Sequence, residues 1–152
     1  MKRLLAFLAM VCLFGGGTAV AQEHWTEGPV WNISFYRTTP GHFDDYLKYL
    51  RSHYIATTAE AKKQGLILDS KVYVKQPRDA NDWDVAIATL FPSYGKAMDY
   101  NAADDEKSKA IQAQHWKTAD QQKQQELTAP RLGWRTFVGS DIVREVNLKP
   151  MP

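Results

Sequence analysis

From residue 30 to residue 36 the chain alternates with a period of two: Trp31, Ile33 and Phe35 interleave with Asn32, Ser34 and Tyr36 behind Val30. β-Branched and aromatic side chains at that period fit a pleated, half-buried surface, and a strand is predicted. Thr39 and Pro40 then read as N-cap and first helical position, and Phe43, Leu47, Leu50 and Tyr54 follow at helical spacing. A first helix is therefore predicted over residues 40–64. Gly65 is placed as its stop, with Lys62 and Lys63 in the last turn facing the negative end of the helix dipole.

The period returns to two from residue 66 to 75, setting Leu66, Leu68, Val72 and Val74 against Asp69, Lys71, Tyr73 and Lys75. After a polar turn with Pro77, Asp79, Asn81 and Asp82, residues 83–91 set Trp83, Val85 and Ile87 against Asp84, Ala86 and Ala88. Two such runs joined by a short polar loop predict an antiparallel hairpin. A second helical region is predicted from Pro92 to Leu127, with a weaker apolar stripe, a Gln-rich solvated face at 121–125 and Pro130 as its end. A last strand, residues 134–149, is interrupted at Gly139, Ser140 and Asp141, the mark of a bulge or bend.

The order is β-α-β-β-α-β, the split βαβ or ferredoxin-like arrangement of the α+β class, with two helices covering one face of an antiparallel sheet. The covered face is expected to carry Trp31, Ile33, Phe35, Leu66, Leu68, Val72, Val74, Val85 and Ile87. Asn32, Ser34, Tyr36, Asp69, Lys71, Tyr73, Asp84, Ala86 and Arg135 then fall on the other. That second set is polar and aromatic together, which suits either a wet surface or the wall of a partly enclosed ligand cavity.

Composition changes the picture once the first 21 residues are set apart. Lys2 and Arg3, an apolar run from Leu4 to Phe14, and small residues at Ala19 and Ala21 make the three-part pattern of a secretory signal peptide cleaved after Ala21. The apolar run is shorter than the roughly 20 residues of a spanning helix, so no stable membrane anchor is expected. Residues 22–152 are expected to form one domain, exported to the periplasm or beyond. They hold 17 Lys and Arg against 17 Asp and Glu, and Cys12 lies in the leader. A formally neutral chain with no basic run is not drawn to nucleic acid, and a cysteine-free one has no disulfide, thiolate nucleophile or Cys-ligated metal.

The element order, the stretch from Tyr36 to Tyr46 with its strand, Pro-Gly turn and amphipathic helix, and the Asp82-Trp83 pair before the third strand resemble the dimeric α/β-barrel superfamily. The resemblance spans nearly all of residues 22–152. Its members include cofactor-free monooxygenases of the antibiotic-biosynthesis type, stress-responsive barrel proteins, muconolactone isomerase-like enzymes and haem-degrading enzymes. It implies a homodimer whose sheets pack polar face to polar face, with a ligand pocket between sheet and helices and no cofactor. It does not select a reaction, since one fold serves many functions.

Asn32, Tyr36, Tyr73 and Arg135 form the candidate pocket, with Lys71 and Asp84 as further ligand-binding positions. Tyrosine offers a hydroxyl on an aromatic body, and arginine binds a carboxylate or phenolate oxygen through two parallel donors. The same residues could instead pair with one another at a dimer interface. His42, at the start of the first helix beside the end of the first strand, is the candidate general base; the plainer reading is an exposed first-turn residue. Tyr36, His42 and Arg135 are thus the catalytic candidates for an oxygenase or isomerase acting on a small aromatic or carbonyl compound. The competing reading is a non-catalytic homodimer of the cell envelope. His53, beside Tyr54, is read as a surface residue. A lesser reading follows the haem-degrading members, whose asparagine, tryptophan and histidine match Asn32, Trp83 and His115 in element order but not in spacing. No His-x-His or His-Glu-x-x-His motif supports a metal site.

Overall fold

The structure, a computed structural model, describes residues 24–151; the leader and its cleavage point lie outside them. Strand β1 (Trp25–Thr38) is followed by α1 (Phe43–Tyr49), a π-helical turn (Leu50–Tyr54) and α2 (Ile55–Lys63) as one continuous rod. Strands β2 (Asp69–Val74) and β3 (Val85–Phe91) form the hairpin. Helices α3 (Tyr94–Met98), α4 (Ala102–Trp116), α5 (Gln121–Thr128) and α6 (Pro130–Trp134) lead to β4 (Arg135–Leu148). The strands form one antiparallel sheet in the order β2-β3-β1-β4, compatible with a ferredoxin-like fold. Among the described residues, no helix is long and apolar enough to cross a membrane.

The first helix starts three residues later than its pattern predicts, because Gly41 takes a left-handed turn (φ +85°) before His42 caps the rod. Gly65 ends it in the same conformation (φ +72°). The second helical region is several helices, and the starts of α3, α4 and α5 each carry a capping side chain. Ser93 accepts from the Lys96 amide, Asn101 from the Asp104 amide, and Asp120 from the Gln122 and Lys123 amides. Such oxygens satisfy N–H groups that have no partner within the helix. Pro130 does not end a helix but opens α6, where its missing N–H costs nothing.

Two buried clusters hold the layers together. Tyr46, Leu50 and Val85 pack with Phe43, Val72, Ile87 and Trp134, and Leu66, Ile67 and Ile111 pack with Ala61 and Phe91. Leu66 and Ile67 precede β2, so that strand is shorter than the period-two run suggests. Val72, Val85 and Ile87 face the helices as expected.

The first strand faces the other way from its predicted orientation. Tyr36 pairs directly with Val85, Ser34 with Ile87 and Asn32 with Thr89, so these three residues share the helix-covered side. Tyr36 lies edge-on to buried Tyr46 of α1, with ring centroids 6.1 Å apart. Trp31, Ile33 and Phe35 consequently lie on the uncovered side, where Lys71 sits 5.1 Å from the Trp31 ring and Phe35 packs 5.2 Å from Trp83. The most apolar stripe of β1 thus belongs to the face that no helix among the described residues covers.

The break in β4 is a bulge within a continuous strand. Phe35 pairs with Gly139 and Tyr36 with Phe137, leaving Val138 without an opposite residue. One extra residue inverts the alternation beyond it. Phe137 and Arg135 are thereby turned to the helix-covered side, beside Tyr36 and Thr38.

Candidate functional site

The predicted pocket residues divide between the two faces of the sheet. Tyr36 and Arg135 meet on the helix side, where the Arg135 guanidinium lies 3.7 Å from the centre of the Tyr36 ring and donates to the Tyr46 hydroxyl. Burial pushes the Tyr46 hydroxyl above the usual tyrosine range, against the pull of Arg135. These side chains fill the space between sheet and α1 by pairing with one another. Asn32 lies on the same face, four residues back along β1. Tyr73 and Lys71 lie on the opposite face with Ala86 and Ala88, which pair with them across the hairpin, so the four-residue pocket is not assembled.

His42 is tied to the helix it opens, its Nδ1 2.9 Å from an Asp45 oxygen. Asp84 is buried where β1 and β3 end, and its carboxylate accepts from the Thr38 amide (2.9 Å) and the Thr38 hydroxyl (2.5 Å). Its visible work is to hold the end of β1. Asp84→Ala is expected to lower stability by about 1–3 kcal/mol by leaving Thr38 without acceptors, read as an earlier denaturant midpoint; an unchanged midpoint would contradict that role.

The haem-type set is also divided. Trp83 lies against Phe35 on the uncovered side, with Lys75 4.4 Å from its ring, whereas Asn32 is on the helix side. His115 bonds to His53. Asn32, Trp83 and His115 therefore do not converge.

A different constellation is assembled by the rod and the later helices. A cavity of about 440 Å³ is walled by Tyr49, His53, Tyr54, Gln112, Trp116 and Arg131. The π-helical turn presents both His53 and Tyr54 on this wall. The Tyr54 hydroxyl donates to the Ala88 carbonyl at 3.3 Å, anchoring the turn to the sheet. Burial pushes that hydroxyl's pKa up.

His53 stacks on Trp116, with centroids 4.5 Å apart and planes 26° apart, and its Nδ1 lies 2.9 Å from His115 Nε2. Burial, and then the neighbouring His115, hold His53 below the ordinary histidine range, so it stays neutral to a lower pH. Arg131 donates from Nη1 to the Tyr49 hydroxyl at 3.3 Å, while its buried Nε has no hydrogen-bond partner. The site therefore combines aromatic walls, one cation and the neutral His53 imidazole. It suits a flat molecule bearing a weakly acidic or anionic oxygen.

Sequence reading missed this site because it assumed an unbroken helical period, under which His53 turns outward once Tyr54 turns in. A trace was present in Tyr49, His53 and Thr57, spaced by four along the rod. Among the described residues, no three of His, Cys, Asp and Glu are grouped to hold a metal ion. No protein-family model matches the chain, and no curated protein matches it significantly.

Proposed function

We propose that this chain is an exported, homodimeric α/β-barrel protein that binds a small aromatic molecule in the helix-side cavity, in the manner of a cofactor-free oxygenase or isomerase acting on an aromatic or carbonyl compound. The observation that carries the proposal is the cavity itself. Its volume of about 440 Å³ is within the range of small-molecule sites, and Tyr49, Tyr54 and Trp116 wall it around Arg131 and His53. The Tyr36–Tyr46–Arg135 cluster beside it is closed by its own contacts, so its part in this reading is to support the wall.

Dimerisation is supported by the uncovered sheet face. Trp31, Ile33 and Phe35 stand there with Tyr73 and Val143, the last two 45% exposed in the single chain. Ordinary surfaces do not gather their aromatic side chains into one flat patch, and a second copy would bury it. This replaces the expected polar contact with an apolar one. A non-catalytic homodimer of the envelope is the second reading, supported by that same face, which a second copy would cover whether or not the cavity has an occupant.

Melting curves with a panel of phenols, hydroxybenzoates and quinones separate the two. Ligand binding to the folded state raises the melting temperature by mass action, so at least one compound is expected to raise it in the wild type and not in Arg131→Ala. Absence of a shift with every compound overturns the binding reading and leaves the non-catalytic dimer.

A further inference from the structure

We infer that His53 and His115 form a proton relay, in which His53 accepts a proton from a weakly acidic hydroxyl of the cavity's occupant and His115 passes one on to a second, adjoining cavity. The inference rests on the cavity reading above and specifies the class of occupant: a phenol or enol, taken up neutral and held as its anion.

Geometry carries the argument. Two imidazole nitrogens 2.9 Å apart have room for one hydrogen between them, so one ring donates and the other accepts. His53 lines the aromatic cavity and His115 does not. His115 instead lines an adjoining cavity of about 320 Å³ with Ala56, Glu60 and Gln114, and Thr57 lies on the wall of both. The hydrogen-bonded pair therefore joins two spaces that share no other ionisable side chain on their walls. Trp116, stacked on His53 and edge-on to His115 at 4.8 Å, fixes both ring planes.

The step balances without a co-reactant. The occupant's O–H bond breaks and its proton joins His53 Nε2, the nitrogen not engaged with His115. The Nδ1 hydrogen moves to His115 Nε2, and the hydrogen on His115 Nδ1 leaves to solvent through the second cavity, on whose wall Glu60 is already bonded to Lys63 and Gln64. The oxyanion remains in the aromatic cavity, where the positive charge of Arg131 favours it. Nothing is oxidised or reduced. The ionisable groups around the pair are Tyr49 and Tyr54 from the rod, Arg131 from α6 and Glu60 from α2. Neutral His53, held down by burial, is in the state that accepts a proton. In these terms His53 is the catalytic candidate and His115 a positioning and relay residue.

The test uses 4-nitrophenol, whose anion absorbs in the visible, and its methyl ether 4-nitroanisole, which has no proton to give. On the full chain the bound phenol is expected to ionise at least one pH unit below the free compound. His53→Gln is expected to abolish at least half of the shift, the remainder being held by Arg131, and His115→Gln to abolish a smaller but measurable part, with 4-nitroanisole affinity changed less than threefold in both. Failure of wild-type protein to bind either compound overturns the cavity reading. Binding of both with one ionisation profile in wild type and variants overturns the relay alone. Should a variant not fold, the imidazole resonances of the wild type decide. Uptake of a single proton by the pair as pH falls through the histidine range supports the relay, and two independent titrations near pH ~6.5 overturn it.

Discussion

Phe35→Glu is expected to convert the protein from a dimer to a monomer at micromolar concentration. Phe35 is on the sheet face that carries Trp31, Ile33 and Val143, and its ring packs on Trp83. If that face meets a second copy, twofold symmetry places two new carboxylates in one apolar interface. An uncompensated buried charge costs several kcal/mol, and each ~1.4 kcal/mol is tenfold in affinity, so a loss of about a hundredfold or more is expected. Light scattering should give the mass of two chains for the wild type and of one for the variant. Leu132→Glu, at a position 68% exposed in α6, is the control and should stay dimeric. A monomeric wild type, or a dimeric Phe35→Glu, would remove the sheet face from consideration.

Tyr46→Ala is expected to have the largest effect on stability, about 3–5 kcal/mol, a large share of what a domain of this size holds in reserve. Tyr46 is completely buried at the centre of the larger cluster, against Leu50 and Val85. Its removal leaves a cavity and takes away the acceptor of the Arg135 guanidinium as well as a ring against Tyr36. Tyr46→Phe keeps the ring and loses only the hydroxyl, for an expected cost of about 1–3 kcal/mol. Denaturant unfolding at fixed protein concentration measures both, since dimerisation would itself shift the midpoint. Equal midpoints for the two variants would mean that the hydroxyl, and not the ring, holds this part of the core.

Element type and order were legible because periodicity is local. The run from Phe43 to Tyr54 and the alternation through Val72 and Val85 are stated by spacing alone, and the bulge was announced by Gly139. The covered side of β1 was not legible. Alternation separates Trp31, Ile33 and Phe35 from Asn32, Ser34 and Tyr36, but it does not say which set meets the helices. The rule that the apolar set does so presumes a single covered face, and here the less apolar set meets Tyr46 while the more apolar one lies outside. The breaks among α3, α4 and α5 are written in Asn101 and Asp120, both good caps, inside a region whose opening at Pro92 and Ser93 is legible. The cavity was hidden for a deeper reason: it depends on a turn whose hydrogen-bond pattern no residue type announces.

Val138 and the turn at Leu50–Tyr54 share a property that bears on how this chain tolerates change. Each places one residue more than the regular period allows, and each thereby sets the facing of what lies beside it: Arg135 in one case, His53 and Tyr54 together in the other. Along most of a strand or helix, substitution is the relevant kind of variation. At these two points it is chain length that matters. Loss of a single residue would leave the composition intact, yet rotate His53 away from the cavity in one case and Arg135 away from Tyr36 and Tyr46 in the other.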